Sequence, residues 1–415
     1  MTKKSLRDER KSLALFLLAF IAYAFVYMTK NCYSAAMAAI VDEGIMTKSE
    51  TGLIAAVFYL VYAPFQVVGG VAADKLSPGK LISFGMLGAG ICNLLIYFIH
   101  NYVAMIVIWA ANAVFQFGIW PAIFKIVSTE LAEDHRMNGV FYISFASPLG
   151  LVLSYGFAIF ISDWELNFLI SAVVLFVLTA VFYVVYRDTE KHMVEQTPVL
   201  QKAEPQGEKK SGGEVFALLM RAGIPIIMIV ETVESFINLG VKSLVPVMLM
   251  ESYESVTPAI ANALNIILVI AGPIGLVLTR LPIFKKIRPT TGIAILLATM
   301  LLPLTVIAFV GKIHIAAVVA ALAFLMIVAG GVSIFFFYIA KKFDKYGCTG
   351  TVSGIINCMS AIGVVLANYV FASLADGMGW SVTTAAWLIV TAAAVILAVI
   401  LLPIWKSFTK KEGIE

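Results

Sequence analysis

The chain has 415 residues, of which 61% are hydrophobic and only 13% charged, and its mean hydropathy is +0.96. A soluble domain carries about 25% charged residues, so this composition excludes a soluble globular protein and describes a chain embedded almost entirely in a membrane. The formal net charge of +4 is too small to suggest a nucleic-acid partner, and where the cations fall is more informative than their sum.

The opening stretch, Met1–Lys11, is charged and leads into an apolar run too long for a signal-peptide core. No small-residue cleavage site follows, so the first span is expected to be retained. A span needs about 20 mainly apolar residues. The sequence predicts twelve, over 12–40, 51–73, 80–99, 102–127, 138–161, 165–186, 217–250, 258–279, 291–311, 313–340, 349–375 and 380–404. These runs are too long for barrel strands and do not alternate, so strands are not expected. The fold class read from them is an all-α membrane protein.

Between the sixth and seventh spans lies a polar stretch from Arg187 to Glu214, containing Gln196-Thr-Pro and Lys209-Lys-Ser-Gly-Gly. Its composition predicts a flexible linker. The expected domains are an N-terminal six-helix bundle over 1–190, a linker over 191–214 and a C-terminal six-helix bundle over 215–415. Such a layout suggests two homologous bundles with a site between them near the bilayer midplane.

Most of the 29 lysines and arginines fall in the even-numbered loops, the linker and the termini, whereas the odd-numbered loops hold Lys48 and Lys312. This asymmetry predicts a multi-pass inner (plasma) membrane protein with both termini in the cytoplasm. Four cations remain, Lys30, Lys125, Arg221 and Lys242, inside spans or close to their ends. The four cysteines, Cys32, Cys92, Cys348 and Cys358, contain no CxxC pair and read as reduced small hydrophobes. All four histidines, His100, His135, His192 and His314, fall in predicted loops. With no GxxxxGK[ST] phosphate loop and no metal cluster, neither a cofactor, a metal site nor an enzyme is expected.

Ionisable residues inside spans are functional candidates, because a charge at the helix centre costs at least ~2.5–3.5 kcal/mol. In the first span Tyr23, Tyr27, Lys30 and Ser34 share one face. Lys30 either meets an anionic group or snorkels to the outer surface, and the tyrosines serve either that site or packing. In the seventh span Glu231, Glu234, Asn238 and Lys242 lie in one sector of the helix. The stripe either binds a cationic group, carries a proton or pairs with Lys30, or it is an intrahelical ion pair that lets the helix insert. Asn112 with Gln116, Asn262 with Asn265, and Asn357 with Ser360 and Asn368 are ligand contacts or interhelical hydrogen bonds. Lys125 serves gating or meets a lipid headgroup.

After the second span, Gly69-Gly70-Val-Ala-Ala-Asp74-Lys75-Leu-Ser-Pro78-Gly79-Lys80 resembles the GxxxD(R/K)xGR loop of the major facilitator superfamily. Tyr27-Met-Thr-Lys30-Asn-Cys-Tyr-Ser-Ala-Ala-Met37, Phe115-Gln116-Phe-Gly118-Ile-Trp120-Pro121, Asp163-Trp164, Arg187-Asp188-Thr189 and Gly350-Thr351-Val-Ser353-Gly354 narrow the match. With Gly363, Asp376 and Gly379-Trp380, they resemble the organophosphate–phosphate antiporters, the glycerol-3-phosphate and hexose-phosphate transporters. The resemblance implies a major-facilitator fold of two pseudo-symmetric six-helix bundles, transport by alternating access and a monomer. With Gln116, Trp120 and Asn357 the candidate substrate-binding set is complete, and Gly70, Asp74, Lys75 and Arg136 are the candidate gating residues. The departures are specific. The antiporters clasp phosphate with two arginines, whose positions fall on Lys30 and Asn238, and a further lysine of theirs falls on Gln66. Their fifth-span histidine falls within Phe145–Pro148, which has none. Lysine is a point charge where arginine offers a planar fork. The expected function is therefore secondary transport of a small polar organic anion or zwitterion, with membrane lipid as the other partner. Lys30 would meet the anionic group, while Glu231 and Glu234 would meet a cationic group or hold the coupling proton. An organophosphate/phosphate antiporter, a proton-coupled drug exporter and a non-transporting receptor stay open as alternatives.

Overall fold

The computed structural model describes residues 4–161, 163–195, 212–279, 281–346 and 348–413. Long helices lie over the predicted spans. In the first half these are α1 (Glu9–Asp42), α2 (Lys48–Lys75), α3 (Pro78–Phe98), α4 (Tyr102–Glu130), α5 (Ala146–Phe160) and α6 (Trp164–Glu190). In the second they are α7 (Ile224–Ser252), α8 (Pro258–Leu278), α9 (Pro289–Ile307), α10 (Ile315–Lys341), α11 (Val352–Met378) and α12 (Trp380–Glu412). Among the described residues, ten of these are both long and apolar enough to cross a membrane. The 28-residue α2 and the shorter α5 cover the other two predicted spans.

Helix starts follow local chemistry. The Asp8 carboxylate accepts from Arg10 N and Lys11 N at 2.9 and 3.2 Å ahead of α1. Thr47 and Glu50 close a reciprocal capping box on α2, which satisfies two of the orphan donors of a helix N-terminus. Asp163 caps α6 in the same manner as Asp8.

Four expectations are corrected. The fifth span is not continuous: Glu133–Ile143 precedes α5, and the chain turns at residues 144–145 between them. Pro148 lies in the first turn of α5, where its missing N–H has no helical partner to lose. Likewise the seventh span breaks into Gly212–Arg221 and α7, because Gly223 adopts a left-handed φ of 77° between them. Finally, one small strand pair exists outside the apolar segments: Lys4–Ser5 runs antiparallel to Val194–Glu195. His135 also belongs to the helix Glu133–Ile143 rather than to a loop.

The chain divides into two compact units, one of Met1–Gln201 with Pro258–Ile266, the other of Lys202–Thr257 with Ile267–Glu415. In the first unit α1 packs on α5 and α6, and α3 on α4 and α6. In the second, α7 packs on α11 and α12, and α9 on α10 and α12. The same pairing recurs six helices later, the pattern of an internal repeat. In the first unit the core holds Leu15, Ile82, Met86, Ile123 and Phe182.

Candidate functional site

In the first unit the decisive side chain is Lys30 of α1, which is only 8% exposed. Its ammonium does not extend to the outer end of the helix. Instead it lies 5.2 Å from the Tyr27 ring centroid, 4.9 Å from Phe58, 4.9 Å from Tyr59 and 4.3 Å from Tyr62. A desolvated cation over a ring gains about 2 kcal/mol, against an insertion cost of ~2.5–3.5 kcal/mol. The ring box thus offsets much of that cost without a counter-charge. No ion pair to Lys30 is made among the described residues, so its charge stays available to an anion. Tyr23 adjoins this box: it stacks on Trp120 at 4.9 Å and meets Tyr27 edge-on at 5.1 Å.

Other candidates of the first unit fall elsewhere. Gln116 is buried and donates to Asn112 Oδ1 at 2.9 Å within its own helix, and no hydrogen bond to Lys30 brings it into the box. Ser34 is half-buried. Lys125 is a helix cap, its Nζ donating to Ala73 O at 2.6 Å and Leu76 O at 3.4 Å. It therefore complements the partial negative charge at the C-terminus of α2. Gly70, Asp74 and Lys75 fall in the last turns of α2, with side chains outside the described ones. Arg136 is half-buried, and its Nε lacks a hydrogen-bond partner among the described residues. Asn262 donates to Ala35 O at 3.0 Å, a packing contact within this unit.

In the second unit the polar stripe of α7 forms one connected network. Lys242 Nζ donates to Asn238 Oδ1 at 3.0 Å, and Asn238 Nδ2 donates to Glu234 Oε1 at 3.0 Å. The steps are i, i+4, so the three side chains stand one above another on a single face. Ser333 of α10 joins them, donating to Glu234 Oε1 at 2.9 Å. Ser235 Oγ lies 3.1 Å from Glu231 Oε1, 3.4 Å from Glu234 Oε2 and 2.7 Å from Ser360 Oγ of α11. Glu231 and Glu234 are 6% and 2% exposed, so Glu231 is not a hydrated surface acid. Glu231 Oε2 has no partner among the described residues, an incomplete buried acceptor that invites a donor. Lys242 reaches Glu234 through Asn238, so the intrahelical pairing foreseen from the sequence exists in relayed form.

Local backbone places these groups. Residues Phe236–Gly240 form a π-turn inside α7, and Ala367–Phe371 form another inside α11. π-turns insert an extra residue and recur at functional sites. Gly363 and Gly240 let the two helices touch: a Cβ at Gly363 would run into Thr232 O, and one at Gly240 into the Ala367 side chain. Ser243 of α7 donates to Asn368 Oδ1 of α11 along the same seam. Asn357 is exposed and outside this network, where Ser360 takes part instead.

Sequence reasoning missed Phe58, Tyr59 and Tyr62, because aromatic residues in an apolar run read as packing. It missed Ser235, Ser333 and Ser360 for a similar reason: small hydroxyls suit any helix crossing. It also missed a third buried acid, Glu130 at the end of α4, whose Oε2 accepts from Tyr186 OH at 3.0 Å.

The model of the Major Facilitator Superfamily matches residues 19–368. The chain belongs to the Major Facilitator Superfamily. Among curated relatives, the membrane sensor protein UhpC of Escherichia coli (strain K12) is 28% identical over 122 residues, 29% of this chain and 28% of that protein. A probable hexose phosphate transport protein of Chlamydia trachomatis is 24% identical over 122 residues, 29% of this chain and 27% of that protein. The matches thus span little more than a quarter of the length of these relatives. A solved structure of a mutant of the peptide transporter POT superposes with a TM-score of 0.74 at 15% identity, covering 95% of each chain. That likeness shows the superfamily fold, in agreement with the nearly all-helical, multi-pass membrane architecture described above.

Proposed function

We propose that this superfamily member is a secondary active transporter, not an enzyme, moving a small polar organic anion or zwitterion by alternating access. The observation that carries the reading is Lys30: a buried ammonium ringed by four aromatic side chains with no ion pair among the described residues. It binds the carboxylate or other anionic group, with Tyr23, Tyr27 and Trp120 as its neighbours, while Ser34 and Gln116 are candidates outside the ring box. Glu231 and Glu234, with Asn238 and Lys242 beside them on α7, take a cationic group or the coupling proton, and Asn357 of α11 is a candidate contact outside their network. Gly70, Asp74, Lys75 and Arg136 gate the cytoplasmic side. The protein acts as a monomer in the inner membrane with both termini in the cytoplasm, as the cation asymmetry of the loops supports.

A second reading, exchange of organophosphate for phosphate, is favoured by the likeness to a hexose phosphate transport protein. The missing arginine partner at Asn238 weighs against it, since phosphate suits a bidentate clasp. Both are tested by one experiment. The wild type, Lys30→Ala and Glu234→Gln are reconstituted in proteoliposomes and assayed with radiolabelled sugar acids, amino acids and sugar phosphates. Carboxylate uptake that falls at least tenfold in Lys30→Ala supports the proposal. Phosphate-driven exchange of sugar phosphates supports the second reading. Tight binding without flux of any solute would show a receptor and overturn both.

A further inference from the structure

A cavity of about 460 Å³ opens in the second unit at the last turns of α12. Arg221 and Lys411 line it with Ser407, over a floor of Pro403, Ile404 and Phe408. The backbone builds it. Gly223, with its left-handed φ of 77°, seats the turn before α7 against Leu401 and Ile404, where a Cβ would clash. That turn holds Arg221, the last residue of Gly212–Arg221, beside α12.

The charges of this cavity leave an excess of one cation. Arg221 uses its Nε on its own helix, donating to Ala217 O at 3.3 Å, and makes no ion pair among the described residues. Lys411 makes neither a hydrogen bond nor an ion pair among them. The one acid in the lining is Glu412, whose Oε2 accepts from Tyr346 OH at 2.8 Å and whose backbone O accepts from Lys345 Nζ at 2.7 Å, so Arg221 and Lys411 outnumber the carboxylate and leave a net positive lining. Burial, with the Glu412 carboxylate beside it, pushes the Tyr346 phenol above the usual tyrosine range, so it remains a neutral donor. Two cations from separate elements therefore converge on an apolar floor. The helix Gly212–Arg221 adds an amphipathic collar, with Leu218 buried and Phe216 and Met220 exposed, the character of a helix lying at a membrane surface.

We propose that this cavity binds the headgroup phosphate of an anionic phospholipid, with Arg221 and Lys411 on the phosphate and the glycerol end on Pro403, Ile404 and Phe408. The occupant is argued from charge complementarity and from the apolar floor. A free anion needs only the cations, whereas a lipid uses both, and cationic pockets flanking spanning helices favour such headgroups. This site shares no residue with the Lys30 box or the α7 network, and it holds whichever solute is carried.

The test uses the full chain purified in detergent, its thermal unfolding followed with added phosphatidylglycerol, phosphatidylcholine or inorganic phosphate. Phosphatidylglycerol is expected to raise the midpoint by several degrees, and the other two are not. In Arg221→Gln/Lys411→Gln the phosphatidylglycerol shift is expected to vanish, while Lys312→Gln, in a loop away from the cavity, keeps it. Retention of bound phosphatidylglycerol in native mass spectra is expected to fall at least fivefold in the double variant. Equal shifts with phosphatidylcholine, an equal shift with inorganic phosphate, or an undiminished shift in the double variant would each overturn the proposal.

Discussion

Lys30 sits where folding alone gives no reason for a lysine. Its four ring contacts return about 2 kcal/mol of cation–π attraction against an insertion cost of ~2.5–3.5 kcal/mol, leaving the folded chain no better off than with an apolar residue. Methionine has a similar length and fills the box without the charge. Lys30→Met is therefore expected to leave thermal stability unchanged or raise it by about 1 kcal/mol, the usual result of replacing a buried ion by a well-packed apolar group. Anion uptake is expected to be lost. Separate readings of the unfolding midpoint and of uptake distinguish the roles. A loss of several degrees in Lys30→Met would make the lysine a structural residue and remove the basis for an anion site.

The seam between α7 and α11 depends on close approach. With Gly363 against Thr232 O, and Ser235 bonded to Ser360 one turn away, the helix spacing sets whether the α7 acids keep their hydroxyl tie. Gly363→Val forces the helices apart, and overpacking of this kind costs about 1–3 kcal/mol. Gly354, on the same helix, has nothing within 4 Å of a Cβ, so Gly354→Ala is the control, expected to keep full stability. Detergent thermal unfolding of both variants checks this, and equal behaviour would refute the close-contact argument. This seam also marks where sequence reading stopped. The apolar runs placed the helices, and the 100° spacing put Glu231, Glu234, Asn238 and Lys242 on one face, because both signals are local. The π-turns at 236–240 and 367–371 arise from packing between helices, and no periodicity carries them. The rings around Lys30 come from α1 and α2 together. Tyr59 and Tyr62 acquire a role only when that crossing sets them against the ammonium. The break at Gly223 was invisible for the opposite reason: the apolar run continues through it, while the backbone turns.

The recurring helix pairing does not include the described residues just before α1 and just after α6. Here the start of the chain is used to hold the beginning of the connection. Lys4–Ser5 pairs with Val194–Glu195 just before the stretch that leads to the second unit, and Leu6 N donates to Glu130 O at 2.9 Å. Leu6 itself is 2% exposed and belongs to the core of the first unit, while Ser12 Oγ accepts from Ala132 N at 2.9 Å a short way along α1. Two hydrogen-bonded residues make a negligible sheet in isolation, so the ladder depends on the buried leucine beside it. Removing that side chain deletes the transfer free energy and leaves a cavity, together about 2–4 kcal/mol for a buried leucine. Leu6→Ala is accordingly expected to lower the unfolding midpoint of the full chain and to raise amide exchange at residues 4–5 and 194–195 together. Ser5→Ala is expected to alter neither by much, because the ladder pairs residue 5 with Val194 through backbone groups. Uptake per folded molecule should stay within twofold in both variants, since Leu6 touches neither the Lys30 box nor the α7 network. If exchange at 194–195 stayed slow in Leu6→Ala, the connection would be held by some other contact and the anchoring role of the N-terminus would fall.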